Sequence, residues 1–124
     1  MKRVYVAGLY SRNKDGEMAN VIEVLDNMRI GMRVATEVFL VGYAPFCPWL
    51  DYHFTLMLRE GEKLEIEDYY KYSLAWVEVS DALLLLSGWE NSPGTKNEVR
   101  RAKKLRIPIC KNLEELQKKV PWMD

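Results

Sequence analysis

Residues 82–98 read Ala-Leu-Leu-Leu-Leu-Ser-Gly-Trp-Glu-Asn-Ser-Pro-Gly-Thr-Lys-Asn-Glu, and this stretch decides the fold. It begins with a continuous apolar run, which is typical of a central parallel strand covered on both faces. A short loop follows, after which Ser92 and Pro93 suit the N-cap and first position of a predicted helix over residues 93–105. A buried strand that leads through a loop into a helix is the repeating unit of α/β proteins.

Strand-like and helical segments alternate along the rest of the chain. Short apolar runs predict further strands at residues 4–7, 43–47 and 107–110. Apolar spacing of three and four residues predicts helices from about Glu17 to a C-cap at Gly42, over residues 66–79 and over residues 112–119, with a short helix within residues 49–64. The predicted apolar stripe of the first helix includes Met32, Ala35, Phe39 and Leu40. We therefore expect a doubly wound α/β fold, Rossmann-like or flavodoxin-like, with a mainly parallel sheet of four or five strands and helices on both faces.

Composition excludes several classes of function. The chain has 124 residues, 18 basic and 18 acidic side chains, one histidine and two cysteines. This length predicts a single domain over residues 1–124, and zero net charge predicts neither a nucleic-acid nor a membrane partner. One histidine argues against a Ser-His-Asp triad and most metal sites, so we expect no metal and no cofactor. The cysteines are predicted to be buried free thiols. The longest apolar run is too short to span a bilayer and the N-terminus lacks a signal pattern, so the predicted location is cytoplasmic.

Two loops are candidates for ligand binding, because doubly wound sheets bind ligands at the carboxyl ends of their strands. In the first loop, Gly8 is followed by Ser11 and Arg12, which are predicted to contact a phosphate or a sugar. In the second, Ser92 caps a helix whose free Gly94 and Thr95 amides form a predicted anion site, favoured by the helix dipole. The alternative interpretation is a well-capped helix without a ligand.

Glu98 lies on the inward stripe of the same helix, near its start. Burying a carboxylate is costly unless it has a partner or a function, so Glu98 is the main candidate for chemistry. The alternatives are that the Glu98 side chain extends past the edge of the core to solvent, or that it pairs with Arg101. The basic residues between Lys96 and Arg106 are interpreted as a solvated helix face and not as a nucleic-acid site.

Four segments together resemble the nucleoside 2-deoxyribosyltransferase superfamily over about residues 3–110. They are Val4-Tyr5-Val6-Ala7-Gly8, Gly42-Tyr43-Ala44-Pro45-Phe46, residues 76–81, and Ser92-Pro93-Gly94-Thr95-x-x-Glu98. Within that superfamily the chain is similar to 2'-deoxynucleoside 5'-phosphate N-hydrolases and to uncharacterised bacterial and phage relatives.

The resemblance implies an N-glycosidase whose small-molecule substrate is a deoxyribonucleoside or its 5'-monophosphate. The glutamate matching Glu98 attacks the anomeric carbon, and water or a second base then resolves the glycosyl ester, giving a hydrolase or a transferase. The resemblance further implies that Tyr5 orients this nucleophile and that Ser92 holds the 5'-phosphate, with Gly94 as backbone support. It also implies a homodimer or larger homo-oligomer, and the aromatic residues between positions 49 and 54 suit an interface.

One position departs from the family pattern. Ser73 stands where the family has a catalytic aspartate, and a serine is a poor general acid at neutral pH. Either Asp51 or Asp68 supplies the missing carboxyl group, or this substrate needs no acid, or catalysis has been lost. In the last case the chain is a non-catalytic nucleotide-binding protein that keeps the phosphate cradle.

Overall fold

A computed structural model describes residues 1–123, and within them four parallel strands form one sheet in the order β2-β1-β3-β4. The strands are β1 (Arg3–Ala7), β2 (Ala44–Phe46), β3 (Ala82–Leu85) and β4 (Ile109–Cys110). The α-helices are α1 (Val21–Val41), α2 (Tyr52–Met57), α3 (Ile66–Glu78), α4 (Pro93–Lys104) and α5 (Leu113–Lys119), with 3₁₀ turns at Pro48–Asp51 and Trp89–Asn91. The predicted doubly wound α/β fold is confirmed, with four strands.

Successive side chains of β1 enter two separate cores. Val4 and Val6 pack with residues of α1 and α5 on one face of the sheet. Tyr5 and Ala7 pack with residues of α3 and α4 on the other face. Strands buried on both faces read as continuous apolar runs, which is why β3 lacks the alternation of a half-exposed strand.

The strand order creates a switch point between β1 and β3. The chain leaves β1 for β2 on one side and later crosses to β3 on the other side. The register sets Ala7 beside Leu85, so the loops that follow these strands start next to each other. Gly8 permits this close approach, because a Cβ atom there would lie 2.9 Å from the Cβ of Leu86.

Helix α1 begins later than predicted because a capping box fixes its start. The Asn20 side chain accepts a hydrogen bond from the Glu23 amide at 2.9 Å, and the Glu23 side chain accepts one from the Asn20 amide at 3.0 Å. Such reciprocal bonds satisfy amide donors that a helix start otherwise leaves unpaired. The predicted start at Glu17 was therefore wrong, whereas the predicted C-cap at Gly42 is confirmed.

The buried face of α1 also differs from the prediction. Met32, Phe39 and Leu40 are 37%, 61% and 77% exposed, whereas Ala35 is buried as predicted, together with Gly31 and Val38. Gly31 lies against the indole ring of Trp49, where a Cβ atom would be only 2.5 Å from ring carbons. The large side chain of Trp49 packs against the face of α1 that carries Gly31, because a glycine leaves room for the indole ring. A count of apolar residues along the helix does not detect this requirement for a small residue.

Candidate functional site

A cavity of about 210 Å³ opens at the carboxyl ends of β1 and β3. Most of the predicted site residues line it, namely Gly8, Ser11, Ser73, Ser92, Gly94, Thr95 and Glu98. Tyr5 lies beneath the cavity and reaches it through Glu98. Arg12 is not among the lining residues, and its guanidinium donates to the Gly16 carbonyl at 3.3 Å, within its own loop. The sheet topology therefore brings segments that are distant in sequence to one site.

Glu98 is held by one neutral donor inside the fold. It is 6% exposed, and the Tyr5 hydroxyl donates a hydrogen bond to its Oε2 atom. Burial raises the pKa of Glu98 to about 8, although the Tyr5 hydrogen bond acts in the opposite direction. The alternative pairing with Arg101 is wrong, because Arg101 forms its ion pair with Glu78. Glu98 is thus a carboxyl group at the edge of a cavity, without a cationic partner among residues 1–123.

Tyr5 is fixed in place as a neutral hydrogen-bond donor. Burial, and then the charge of Glu98, raise its pKa well above the ordinary value, and a hydrogen bond with Ser73 opposes them. The Tyr5 ring stacks on Phe46 at a centroid distance of 5.4 Å, and Phe46 stacks on Trp76 at 4.9 Å. The orientation of the Glu98 carboxyl group is therefore set by side chains packed on the sheet.

At the start of α4, fewer backbone amides are free to bind a ligand in the cavity than predicted. Ser92 Oγ accepts a hydrogen bond from the Thr95 amide at 3.2 Å, so the prediction that this amide is free was wrong. The Thr95 hydroxyl donates to the Gly8 carbonyl at 3.0 Å and ties α4 to the end of β1. The Gly94 amide makes no hydrogen bond within residues 1–123. A Cβ atom at Gly94 would lie 3.2 Å from the Tyr70 ring, so glycine keeps the approach to this amide open.

A second buried carboxyl group, Asp51, lines the same cavity. It ends the 3₁₀ turn after β2 and is 6% exposed. Burial raises its pKa to about 6, and a hydrogen bond with Tyr10 acts in the opposite direction. Asp68, the other carboxyl group considered from sequence, caps α3 by accepting the Glu65 amide at 2.8 Å, and it is exposed. Of these two aspartates, the cavity therefore contains Asp51.

Residues 2–111 match a protein family described as a domain of unknown function, DUF4406. The chain belongs to the DUF4406 family. The matched segment of this DUF4406 domain contains every residue that lines the cavity. No curated protein matches the sequence. The family description names no activity, so the chemistry of the cavity is the basis for a functional proposal.

The remaining wall of the DUF4406 cavity is aromatic and apolar. Apart from Thr55, it is formed by Tyr10, Pro48, Trp49, Ile66, Tyr69 and Tyr70. Trp49 is held by its indole nitrogen, which donates to the Leu9 carbonyl at 2.9 Å. The aromatic rings of Phe46 and Trp89 pack against the core between the sheet and helices α3 and α4. Flat aromatic rings beside two carboxyl groups suit a planar heterocycle with polar edges.

Other classes of site have less support in residues 1–123. No group of three His, Cys, Asp or Glu side chains there is placed to hold a metal ion. Cys47 and Cys110 are buried free thiols, as predicted. None of the helices in this part of the DUF4406 domain is long and apolar enough to cross a membrane.

Proposed function

We propose that this DUF4406 domain is an N-glycosidase that cleaves the base–sugar bond of a deoxyribonucleoside or its 5'-monophosphate. The observation that carries the proposal is Glu98, which is buried, hydrogen-bonded to Tyr5 and exposed only toward a small cavity. A carboxylate nucleophile divides a difficult displacement at an anomeric carbon into two easier steps through oxocarbenium-like transition states. The resemblance to deoxyribosyltransferases supports the same chemistry.

In the first step, ionised Glu98 attacks C1' of the sugar and forms an ester as the C1'–N bond breaks. Because the Tyr5 hydroxyl donates its hydrogen bond to Oε2 of Glu98, we assign the attack on C1' to Oε1. In the second step, water adds to C1' and the carboxylate of Glu98 is released. If a second base replaces water, the same intermediate gives a transferase.

The start of α4 is proposed to hold the 5'-phosphate of the substrate. The Gly94 amide, the Ser92 hydroxyl and the positive end of the helix dipole all favour an anion at this position. The cavity volume of about 210 Å³ is below the roughly 300–1,000 Å³ of typical ligand pockets, which favours a compact metabolite. Such a site binds an anion although the net charge of the chain is zero.

Base release from a panel of substrates tests the proposal. Deoxyribonucleosides and their monophosphates are incubated with the protein, with and without a free acceptor base, and released or exchanged base is quantified. We expect release from the wild type and from Glu60→Gln, a control at an exposed loop carboxylate. We expect none from Glu98→Gln. Base release that survives this substitution would exclude Glu98 as the nucleophile.

The second candidate is a non-catalytic nucleotide-binding protein. It is favoured by one observation, the presence of Ser73 in the cavity at the position where the enzymes that the chain resembles have an aspartate. This candidate predicts monophosphate binding, measured by calorimetry, without base release from any substrate. Exchange of base without net hydrolysis would instead assign the protein as a transferase.

The cellular location and the assembly belong to the same proposal. We infer a cytoplasmic location, and we infer a homodimer or larger homo-oligomer because the resemblance implies one. Phe54 and Met57 on α2 are 48% and 71% exposed beside the cavity-lining Thr55, which supports an interface near the site. Sedimentation velocity of the wild type measures the oligomeric state directly.

A further inference from the structure

We propose that Asp51 is the general acid of this reaction and protonates the departing base. The inference rests on the proposed N-glycosidase function and adds a catalytic residue to it. Asp51 is 6% exposed and lines the same cavity as Glu98, on the 3₁₀ turn that follows β2. The acid would thus lie on this turn, whereas the enzymes that the chain resembles have an aspartate at the position of Ser73 on α3.

Among the described residues that line the cavity, Asp51 is the carboxyl group available beside the nucleophile. Asp51 and Glu98 are the two carboxyl groups among its lining residues in the described part of the chain. Ser73 remains on the α3 side of the cavity, where its hydroxyl interacts with Tyr5. A hydroxyl group with an ordinary acidity donates a hydrogen bond but does not transfer its proton to a leaving group at neutral pH.

The turn that carries Asp51 is firmly anchored. Trp49 lies two residues earlier, is 1% exposed and packs on Gly31 of α1. The Trp49 indole also donates to the Leu9 carbonyl, which joins the turn to the loop after β1. A catalytic group needs such support, because small displacements of the reacting atoms reduce the rate strongly.

The surroundings of Asp51 also favour a proton donor. A hydrogen bond with Tyr10 acts on Asp51, the charge of Asp51 in turn raises the pKa of Glu98, and no cation is among the described residues that line the cavity. Burial without a cation favours the neutral carboxylic acid, which is the form that donates a proton.

The proton balance closes with these two carboxyl groups. As Glu98 bonds to C1' and the C1'–N electron pair moves onto the base, the Asp51 proton passes to a nitrogen or oxygen atom of the base. The resulting Asp51 carboxylate then accepts a proton from the water that attacks C1'. The net reaction consumes one nucleotide and one water, and both carboxyl groups return to their starting state.

Two substrates with different leaving groups test this assignment. One is a deoxyribonucleoside monophosphate, whose base leaves as a neutral molecule only after protonation. The other is 4-nitrophenyl 2-deoxyribose 5-phosphate, whose phenolate leaves without a proton. We expect Asp51→Asn to lower kcat/KM for the nucleotide by roughly 10²–10⁴-fold and for the nitrophenyl substrate by less than about tenfold. Glu98→Gln is expected to abolish turnover of both substrates.

Asp68→Asn is the matched control, because it makes the same substitution at an exposed capping carboxylate. It should leave kcat/KM for both substrates unchanged. Adding Ser73→Asp to the Asp51→Asn variant should restore part of the nucleotide activity by returning a carboxyl group to α3. Thermal unfolding of each variant verifies that the protein is folded.

The outcomes separate this inference from the proposed function. Wild-type turnover that requires Glu98, together with an equal loss on both substrates in Asp51→Asn, would overturn the general-acid role and leave the N-glycosidase proposal intact. Full nucleotide activity in Asp51→Asn would do the same. Absence of wild-type turnover on both substrates would overturn the glycosidase proposal, and the role of Asp51 with it.

Discussion

Replacing Glu98 with glutamine should stabilise the protein, and the gain should grow with pH. Burial raises the pKa of Glu98 from 4.5 to about 8, so between these values the folded protein keeps a proton that the unfolded chain releases. Because the folded state then binds more protons, the free energy of unfolding falls as the pH rises through this window. At 1.36 kcal/mol per pKa unit, burial of Glu98 lowers the free energy of unfolding by about 3 kcal/mol at pH 7 and by about 5 kcal/mol above pH 8.

Glutamine has nearly the same shape, and its carbonyl oxygen still accepts the Tyr5 hydrogen bond, but it carries no charge at any pH. We expect Glu98→Gln to raise Tm by roughly 10 °C at pH 7, with little change near pH 4.5. Urea unfolding at several pH values between 4.5 and 8.5 measures the effect. Glu60→Gln, at an exposed carboxylate, controls for the loss of one negative charge.

The reasoning is refuted if Glu98→Gln is less stable than the wild type at pH 8. A stability difference that stays constant from pH 5 to pH 8 would refute it equally, since ionisation of a buried acid must produce a slope. Neither result depends on the substrate, so this experiment tests the electrostatics of the site separately from its proposed activity.

Three further predictions concern pH, capping and packing. The dependence of kcat/KM for base release on pH should be bell-shaped, with limbs near pH 6 and pH 8, because turnover needs one proton on the pair Asp51 and Glu98. A kcat/KM that stays constant from pH 5 to pH 9 would contradict this. Ser92→Ala should cost about 1 kcal/mol in urea unfolding through the lost N-cap, and it should lower the preference for monophosphates over nucleosides; an unchanged preference would exclude the phosphate contact. Gly31→Ala should lower the free energy of unfolding in the same assay. The added methyl group would clash with Trp49 at a cost of about 1–3 kcal/mol, which exceeds the roughly 1 kcal/mol gained in helix propensity. Equal stability of the variant and the wild type would contradict the packing of Trp49 on Gly31.

Local patterns in the sequence predicted the fold and the buried position of Glu98 well. The apolar run of β3 and the spacing of Glu98 along α4 depend on the chain's own periodicity, so each is visible in a short window. The position of Glu98 at the cavity then follows from the sheet topology, because β3 leads directly into the loop and helix that carry it.

Contacts between distant segments could not be predicted in this way. The buried face of α1 is decided by Trp49, which lies beyond the end of that helix in sequence. The Thr95 amide is unavailable because Ser92 caps it, and the sequence identifies Ser92 as a cap without showing which amide it occupies. Asp51 lies in an irregular segment whose local pattern does not specify where its side chain points.

The proposed reaction and the pKa values favour different positions for the one proton that Asp51 and Glu98 share. Catalysis in the proposed direction needs the proton on Asp51 and the charge on Glu98, yet burial raises the pKa of Glu98 above that of Asp51. Between about pH 6 and pH 8 the productive arrangement is therefore the minor form of a singly protonated pair. The Tyr5 hydrogen bond favours the ionised form of Glu98, and the positive charge that develops at C1' favours it further in the transition state. Ionised Glu98 therefore destabilises the empty protein, and it is stabilised only when a substrate with a departing base occupies the cavity. This expectation links the stability measured for Glu98→Gln to the loss of its activity: the substitution that stabilises the empty protein should be the one that abolishes turnover.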